Sequence, residues 1–107
     1  AGHMPALRET FDVVLARAVA RMPVLMEYLL PLAKIGGVCV ALKGSTAREE
    51  TADAARALQL LGGRLRSIES VQLPGVSEPH YLVLVEKVAH TPPSYPRKPG
   101  LPTQKPL

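Results

Sequence analysis

Two basic residues each follow directly on an apolar run. Arg17 closes Phe11-Asp12-Val13-Val14-Leu15-Ala16, and Lys43 closes Val38-Cys39-Val40-Ala41-Leu42. If the runs are strands of an open α/β sheet, both cations lie beyond strand C-terminal ends, where such sheets take their ligands. A guanidinium at Arg17 can hold a carboxylate or a phosphate in bidentate fashion; position alone equally allows an ordinary loop arginine. Lys43 can meet a phosphate or stay solvated beside a helix start. A third group lies in Tyr95-Pro96-Arg97-Lys98. Arg97 and Lys98 suit phosphate contacts, while Tyr95 either stacks on a base or pins the segment to the domain, pinning being preferred. Nothing points to a catalytic side chain or a metal site. His3 has no partner at useful spacing. The single cysteine leaves no disulfide or cysteine-based zinc site, and Cys39 inside an apolar run reads as a small buried hydrophobe.

The charge is unevenly placed. Of 13 Lys+Arg and 9 Asp+Glu, only Lys87, Arg97, Lys98 and Lys105 fall after residue 86, where there is no acid. The net +4 therefore sits in the C-terminal segment. Such a segment fits charge-driven contact with nucleic acid or is a solvated end. No apolar run approaches the roughly 20 residues a membrane-spanning helix needs, and no signal peptide is recognisable. A cytoplasmic protein is expected.

These residues need elements to position them. Phe11 to Ala16, without alternation, predicts a strand buried on both faces. Pro23 suits the first turn of a helix whose Leu25, Tyr28, Leu29 and Leu32 share a face, which puts Tyr28 in the core. Pro31 kinks that helix or ends it early, and Gly36-Gly37 stops it. After the strand Val38 to Leu42, Thr46 and Glu49 form a capping box for a helix with Ala52, Ala55, Leu58 and Leu61 inward, closed at Gly62-Gly63. Leu65 to Leu73 and Tyr81 to Val88 predict two further strands, joined through Pro74-Gly75 as an antiparallel hairpin. Residues 90–107, with six prolines, read as an extended basic tail behind a domain of residues 1–89.

Alternating strands and helices predict parallel β-α-β units. A parallel sheet finished by an antiparallel hairpin is how class I methyltransferases end. The first strand would then lack its earlier neighbours and present an unpaired edge, through which two copies could also associate. The chain reads as the second half of such a Rossmann-like sheet.

Several segments, in order over nearly the whole chain, resemble the bacterial 16S rRNA guanine-N7 methyltransferase family, also called glucose-inhibited division protein B. They are Phe11-Asp12-Val13-Val14, Arg17-Ala18-Val19-Ala20, Ala41-Leu42-Lys43-Gly44, Leu73-Pro74-Gly75, the strand Leu82 to Lys87, and Tyr95-Pro96-Arg97-Lys98-Pro99-Gly100. The Arg-Ala-x-Ala turn and the Tyr-Pro-Arg-Lys-Pro-Gly ending discriminate best. The resemblance implies an S-adenosylmethionine (SAM)-dependent enzyme in which Arg17 contacts the cofactor, with 16S rRNA or the small ribosomal subunit as substrate. Lys43, Arg97 and Lys98 are then candidates for RNA contact. The family's Gly-rich cofactor loop and its ribose-binding acid would precede Ala1, so this chain alone is expected to be inactive. His80 departs from the arginine the family places before the final strand. Ala1 to Met4 reads as native run-up in preference to a cloning scar. Two alternatives are a non-enzymatic RNA-binding module and a class I methyltransferase with another substrate.

Overall fold

The computed structural model describes residues 8–17, 21–75, 77–97 and 107. The elements, in chain order, are β1 (Phe11–Arg17), α1 (Met22–Leu29), a single 3₁₀ turn (Leu30–Leu32), β2 (Ala33–Lys43), α2 (Ala47–Asp53), α3 (Ala55–Leu61), β3 (Gly63–Val71) and β4 (His80–Lys87). The strands form one sheet in the order β1-β2-β4-β3. β1 and β2 are parallel, Val14 opposite Cys39 and Arg17 opposite Leu42. β4 runs antiparallel to both β2 and β3. The expected parallel pair and terminal hairpin are therefore present, with β4 inserted at the centre. β4 is the most apolar of the late strands, and a central position covers it from both sides.

Alternation divides the sheet into two faces. Cys39 and Ala41 of β2 and Val83 and Val85 of β4 are buried against Met22, Met26, Leu30, Leu58 and Leu61. That is the core. On the opposite face Val38, Val40, Leu42, Leu82 and Leu84 are only partly covered. β1 departs from its expected burial on both faces: Val13 is 55 % and Leu15 72 % exposed. Its run is apolar enough for an interior strand, but among the described residues it pairs only with β2, and its outer face meets nothing.

Local chemistry sets the element ends, with some differences from the sequence reading. α1 stops at Leu29 because Pro31 cannot continue a regular helix, and a 3₁₀ turn bridges to β2. Gly36-Gly37 lies inside β2 instead of ahead of it. A side chain on Gly37 would press within 2.9 Å of the Phe11, Asp12 and Lys34 carbonyls, so the β1–β2 approach depends on glycine there. The expected single helix after Lys43 is broken at Ala54 into α2 and α3. Its inward stripe is Ala47, Thr51, Ala54, Leu58 and Leu61, while Ala52 and Ala55 face outward. Both sets have helical spacing, and alanines weigh too little to separate them. Thr46 makes no side-chain cap; its hydroxyl donates to Glu50 instead. Tyr28 is 38 % exposed, not in the core. Gly62 closes α3 in the left-handed region (φ 86°), and its carbonyl accepts the N–H groups of Val88 and Ala89.

The segment after β4 is not a free tail as far as residue 97. Thr91 is buried and donates its hydroxyl to the Leu61 carbonyl at 2.6 Å. Arg8 donates to the carbonyls of Thr91, Pro92 and Tyr95 at 3.0, 2.9 and 2.6 Å. Tyr95 packs against the core, so it pins the segment. Residues 88–97 form a strap that returns across the helix side of the sheet.

Candidate functional site

Arg17 is the last residue of β1, exposed at the C-terminal end of the parallel pair. Beside it a cleft of about 260 Å³ is lined by Leu15, Ala16, Arg17, Val40, Leu42 and Leu82. All but Arg17 are apolar, so the cleft can take a flat apolar group whose anionic part meets the guanidinium. It has no acid or base able to move a proton. A larger cleft of about 520 Å³ lies between α2, α3 and β3. It is away from the C-terminal ends of the parallel strands, the region where open α/β sheets take their ligands.

Lys43 follows Leu42 by one residue and so turns to the other face. Its side chain is 5 % exposed, and Nζ lies 2.6 Å from Glu50 Oε1. Glu50 Oε1 also accepts the Met22 N–H at 3.1 Å, and Oε2 accepts the Thr46 hydroxyl at 2.6 Å. Burial pushes the Glu50 carboxyl up, but Lys43, Thr46 and Met22 outweigh it and hold it below the ordinary carboxylate value. In this chain the Lys43 side chain is thus enclosed and engaged by a carboxylate.

Arg97 is engaged in a similar way. Its Nε and Nη2 donate to Glu27 at 2.9 and 2.8 Å, and its backbone N–H adds a third bond at 2.8 Å. Glu27 is fully buried. Burial raises its pKa, and the Arg97 fork and amide more than offset that, leaving it lowered. The fork that would read a phosphate is thus closed on an internal carboxylate. Lys98 lies outside the described residues. His80 opens β4 and its Nδ1 lies 3.0 Å from the Glu78 carbonyl oxygen, so it takes part in the hairpin turn.

A third buried cation went unread in the sequence. Lys87 is fully buried, donates to the Leu30 and Ala33 carbonyls at 2.6 and 2.9 Å, and lies 3.0 Å from Glu9 Oε2. Glu9 also accepts the Thr91 N–H at 3.0 Å. The signal was present: Glu27 interrupts the apolar run of α1, and Lys87 ends a strand on its buried phase. A polar residue at such a position requires a partner, but spacing does not say which. Cys39 is buried as expected, which pushes its thiol up to about 12, against the pull of nearby Lys87.

Strand order, helix placement and the cation at the parallel ends define the second half of a Rossmann-like methyltransferase sheet. Two solved structures share that fold. An rRNA methylase from Streptococcus thermophilus superposes with a TM-score of 0.52 at 16 % identity, over 78 % of this chain and 51 % of that one. The 16S rRNA N2 G1207 methyltransferase of T. thermophilus, in complex with AdoMet and guanosine, gives 0.51 at 18 % identity, over 79 % and 22 %. Residues 3–80 match the family rRNA small subunit methyltransferase G, and this chain belongs to that family. The proteins named ribosomal RNA small subunit methyltransferase G in Lactobacillus johnsonii and in Lactobacillus delbrueckii subsp. bulgaricus are 50 % and 56 % identical to it. The matches cover 100 % and 99 % of this chain but 45 % and 44 % of those proteins, so it spans less than half their length.

Proposed function

We propose that the whole protein to which this sequence corresponds is a cytoplasmic methyltransferase that uses SAM to methylate guanine N7 in 16S rRNA, free or in the small ribosomal subunit. The family match carries this reading, and the position of Arg17 gives it a physical site. SAM has a carboxylate and a flat base; the cleft beside Arg17 has one guanidinium and apolar walls. At about 260 Å³ it falls below the roughly 300–1,000 Å³ of a small-molecule site. The fit is that of one wall of a pocket, the remainder coming from sequence this chain lacks. Arg17 is therefore assigned to the cofactor carboxylate.

When bound, SAM supplies an electrophilic methyl group. Guanine N7 carries a lone pair and no proton, so the transfer requires no general base, in keeping with a cleft that has none. What remains for the protein is to hold N7 in line with the methyl, a contribution of position and orientation. The base must leave its stack to get there, which favours an RNA loop. With Arg97 engaged internally, Lys98 and Lys105 remain as the tail's candidates for RNA phosphate contact.

The decisive experiment assays methyl transfer by the full-length protein on unmodified 16S rRNA and maps the product. N7-methylguanine is expected; methylation confined to protein or small molecules would overturn the assignment. Calorimetry of Arg17→Ala in the same protein should show SAM binding weakened by about tenfold or more, and unchanged affinity removes Arg17 from the site.

A further inference from the structure

Given the rRNA substrate proposed above, we infer that the cleft between α2, α3 and β3 is a second RNA site, which takes an unpaired base with its phosphate on Arg48. Local structure makes the cleft. The helix after Lys43 breaks at Ala54, and Ala52 and Ala55 face outward, where two methyl groups fill little space. β3 pairs only with β4 among the described residues, so no further strand covers its outer edge. Its Leu65 is 40 % exposed, and Ile68 is only partly covered. With Leu58 these side chains wall about 520 Å³. That lies within the roughly 300–1,000 Å³ of a small-molecule site and suits a flat apolar group such as a nucleobase.

Charge selects the occupant. The exposed cations Arg21, Lys34 and Arg64 are each paired with a carboxylate, of Asp53, Asp12 and Glu86. Arg48, Arg56 and Arg66 are exposed as well, yet none forms an ion pair among the described residues. Arg48 lines the cleft, Arg56 and Arg66 directly follow the lining residues Ala55 and Leu65, and no Asp or Glu lines it. The Arg48 guanidinium stands over the Tyr81 ring, 5.8 Å from its centre. That contact uses none of its N–H donors in a hydrogen bond, so the fork remains for a phosphate. An apolar slot with such a cation at its rim suits a splayed base of single-stranded RNA. Tyr81 is the strand partner of Lys43, at the end of the sheet where Arg17 pairs with Leu42. The Arg48 end of the cleft therefore points toward the proposed SAM site, which opens on the opposite face. The contact docks the RNA and does not touch the reacting guanine.

The test uses the full-length protein with an unmodified 16S rRNA transcript over a range of salt. Arg48→Ala should raise the KM for the transcript about fivefold and reduce the slope of log affinity against log salt by about 0.7, the share of one single-strand phosphate. Arg48→Lys should keep that slope. Ala55→Met fills the cleft from an exposed helical position without altering charge. It should raise the KM about tenfold, the worth of one stacked base, at unchanged slope. For all three variants kcat at saturating RNA and calorimetric SAM affinity should match the parent, which also reports that they fold. Unaltered KM and slope in both Arg48→Ala and Ala55→Met overturn the site. A loss in Arg48→Ala alone overturns the bound base. An effect confined to intact small subunits and absent on the naked transcript assigns the cleft to a ribosomal protein and overturns the RNA reading. If the parent methylates no RNA yet binds the transcript through Arg48, the proposed function falls and this site stands.

Discussion

The two faces of the sheet have been solved differently. On the helix side three carboxylate–cation pairs, each with at least one buried member, Glu9–Lys87, Glu27–Arg97 and Glu50–Lys43, bind the strap, Met22 and the turn after α1 into the core. No buried side-chain polar atom is left without a partner among the described residues. On the other side Val13 and Leu15 stand in solvent on a strand with one neighbour. The same kind of apolar strand is thus finished on one face and unfinished on the other. The difference teaches that this half-sheet has a complete interior on its helix side, while its second face is left open among the described residues.

The sharpest way to break that contrast is to damage the finished side. Arg97→Ala leaves Glu27 as an unpaired buried carboxylate, and such losses cost about 3–5 kcal/mol. Since Arg97 retains some contact with solvent, about 3 kcal/mol is expected, read from denaturant unfolding of this chain. A loss below about 1 kcal/mol would show the strap to be peripheral.

The unfinished side should respond in the opposite sense. Leu15→Lys is expected to change the stability of this chain by no more than about 0.5 kcal/mol, as for exposed positions generally. In the full-length protein we propose that further sequence covers this face, and there the same change should cost about 1.5–3 kcal/mol, the value of a buried leucine. Sedimentation velocity of this chain should show concentration-dependent association through the β1 edge, reduced by Leu15→Lys. Equal costs in the two lengths would refute the proposed cover.

Acid sharpens the comparison further. Glu9, Glu27 and Glu50 all sit below the ordinary carboxylate value in the folded chain. Near that value, about 4.3, the unfolded chain binds more protons, so these groups stabilise the fold above it. Their contribution is lost as pH falls through the lower folded values. The thermal midpoint should therefore drop between about pH 5 and pH 3, and less steeply in Arg97→Met, where Glu27 has no cation to depress it. The smallest effect concerns Cys39: with its thiol pushed up to about 12, alkylation at neutral pH should proceed only through unfolding. Rapid labelling of native protein would contradict the burial of β2.

Much of the architecture was legible because it is encoded locally. β-branched apolar runs, Pro31, Gly62-Gly63 and the alternation of strands with helices are short-range patterns, and they yielded the parallel pair and the terminal hairpin. The ordered segments from Phe11 to Gly100 carried the family resemblance. The place of Arg17 at the end of β1 was legible for the same reason, since the end of a strand is a position along the chain. What local pattern misjudged was burial. It expected β1 to be buried on both faces, where Val13 and Leu15 are exposed, and it put Tyr28 in the core.

The fate of the other charges was decided only by tertiary structure. Lys43 and Arg97 look like any solvent-facing cation in one dimension, yet a one-residue alternation turns Lys43 inward, and Arg97 meets a carboxylate 70 positions away. A buried charge must find its opposite, and that requirement acts through space, not along the chain. Sequence by itself settled most of the elements that form and that Arg17 sits at the end of the first strand. Packing settled which cations are drawn into internal carboxylate pairs and hold the protein together.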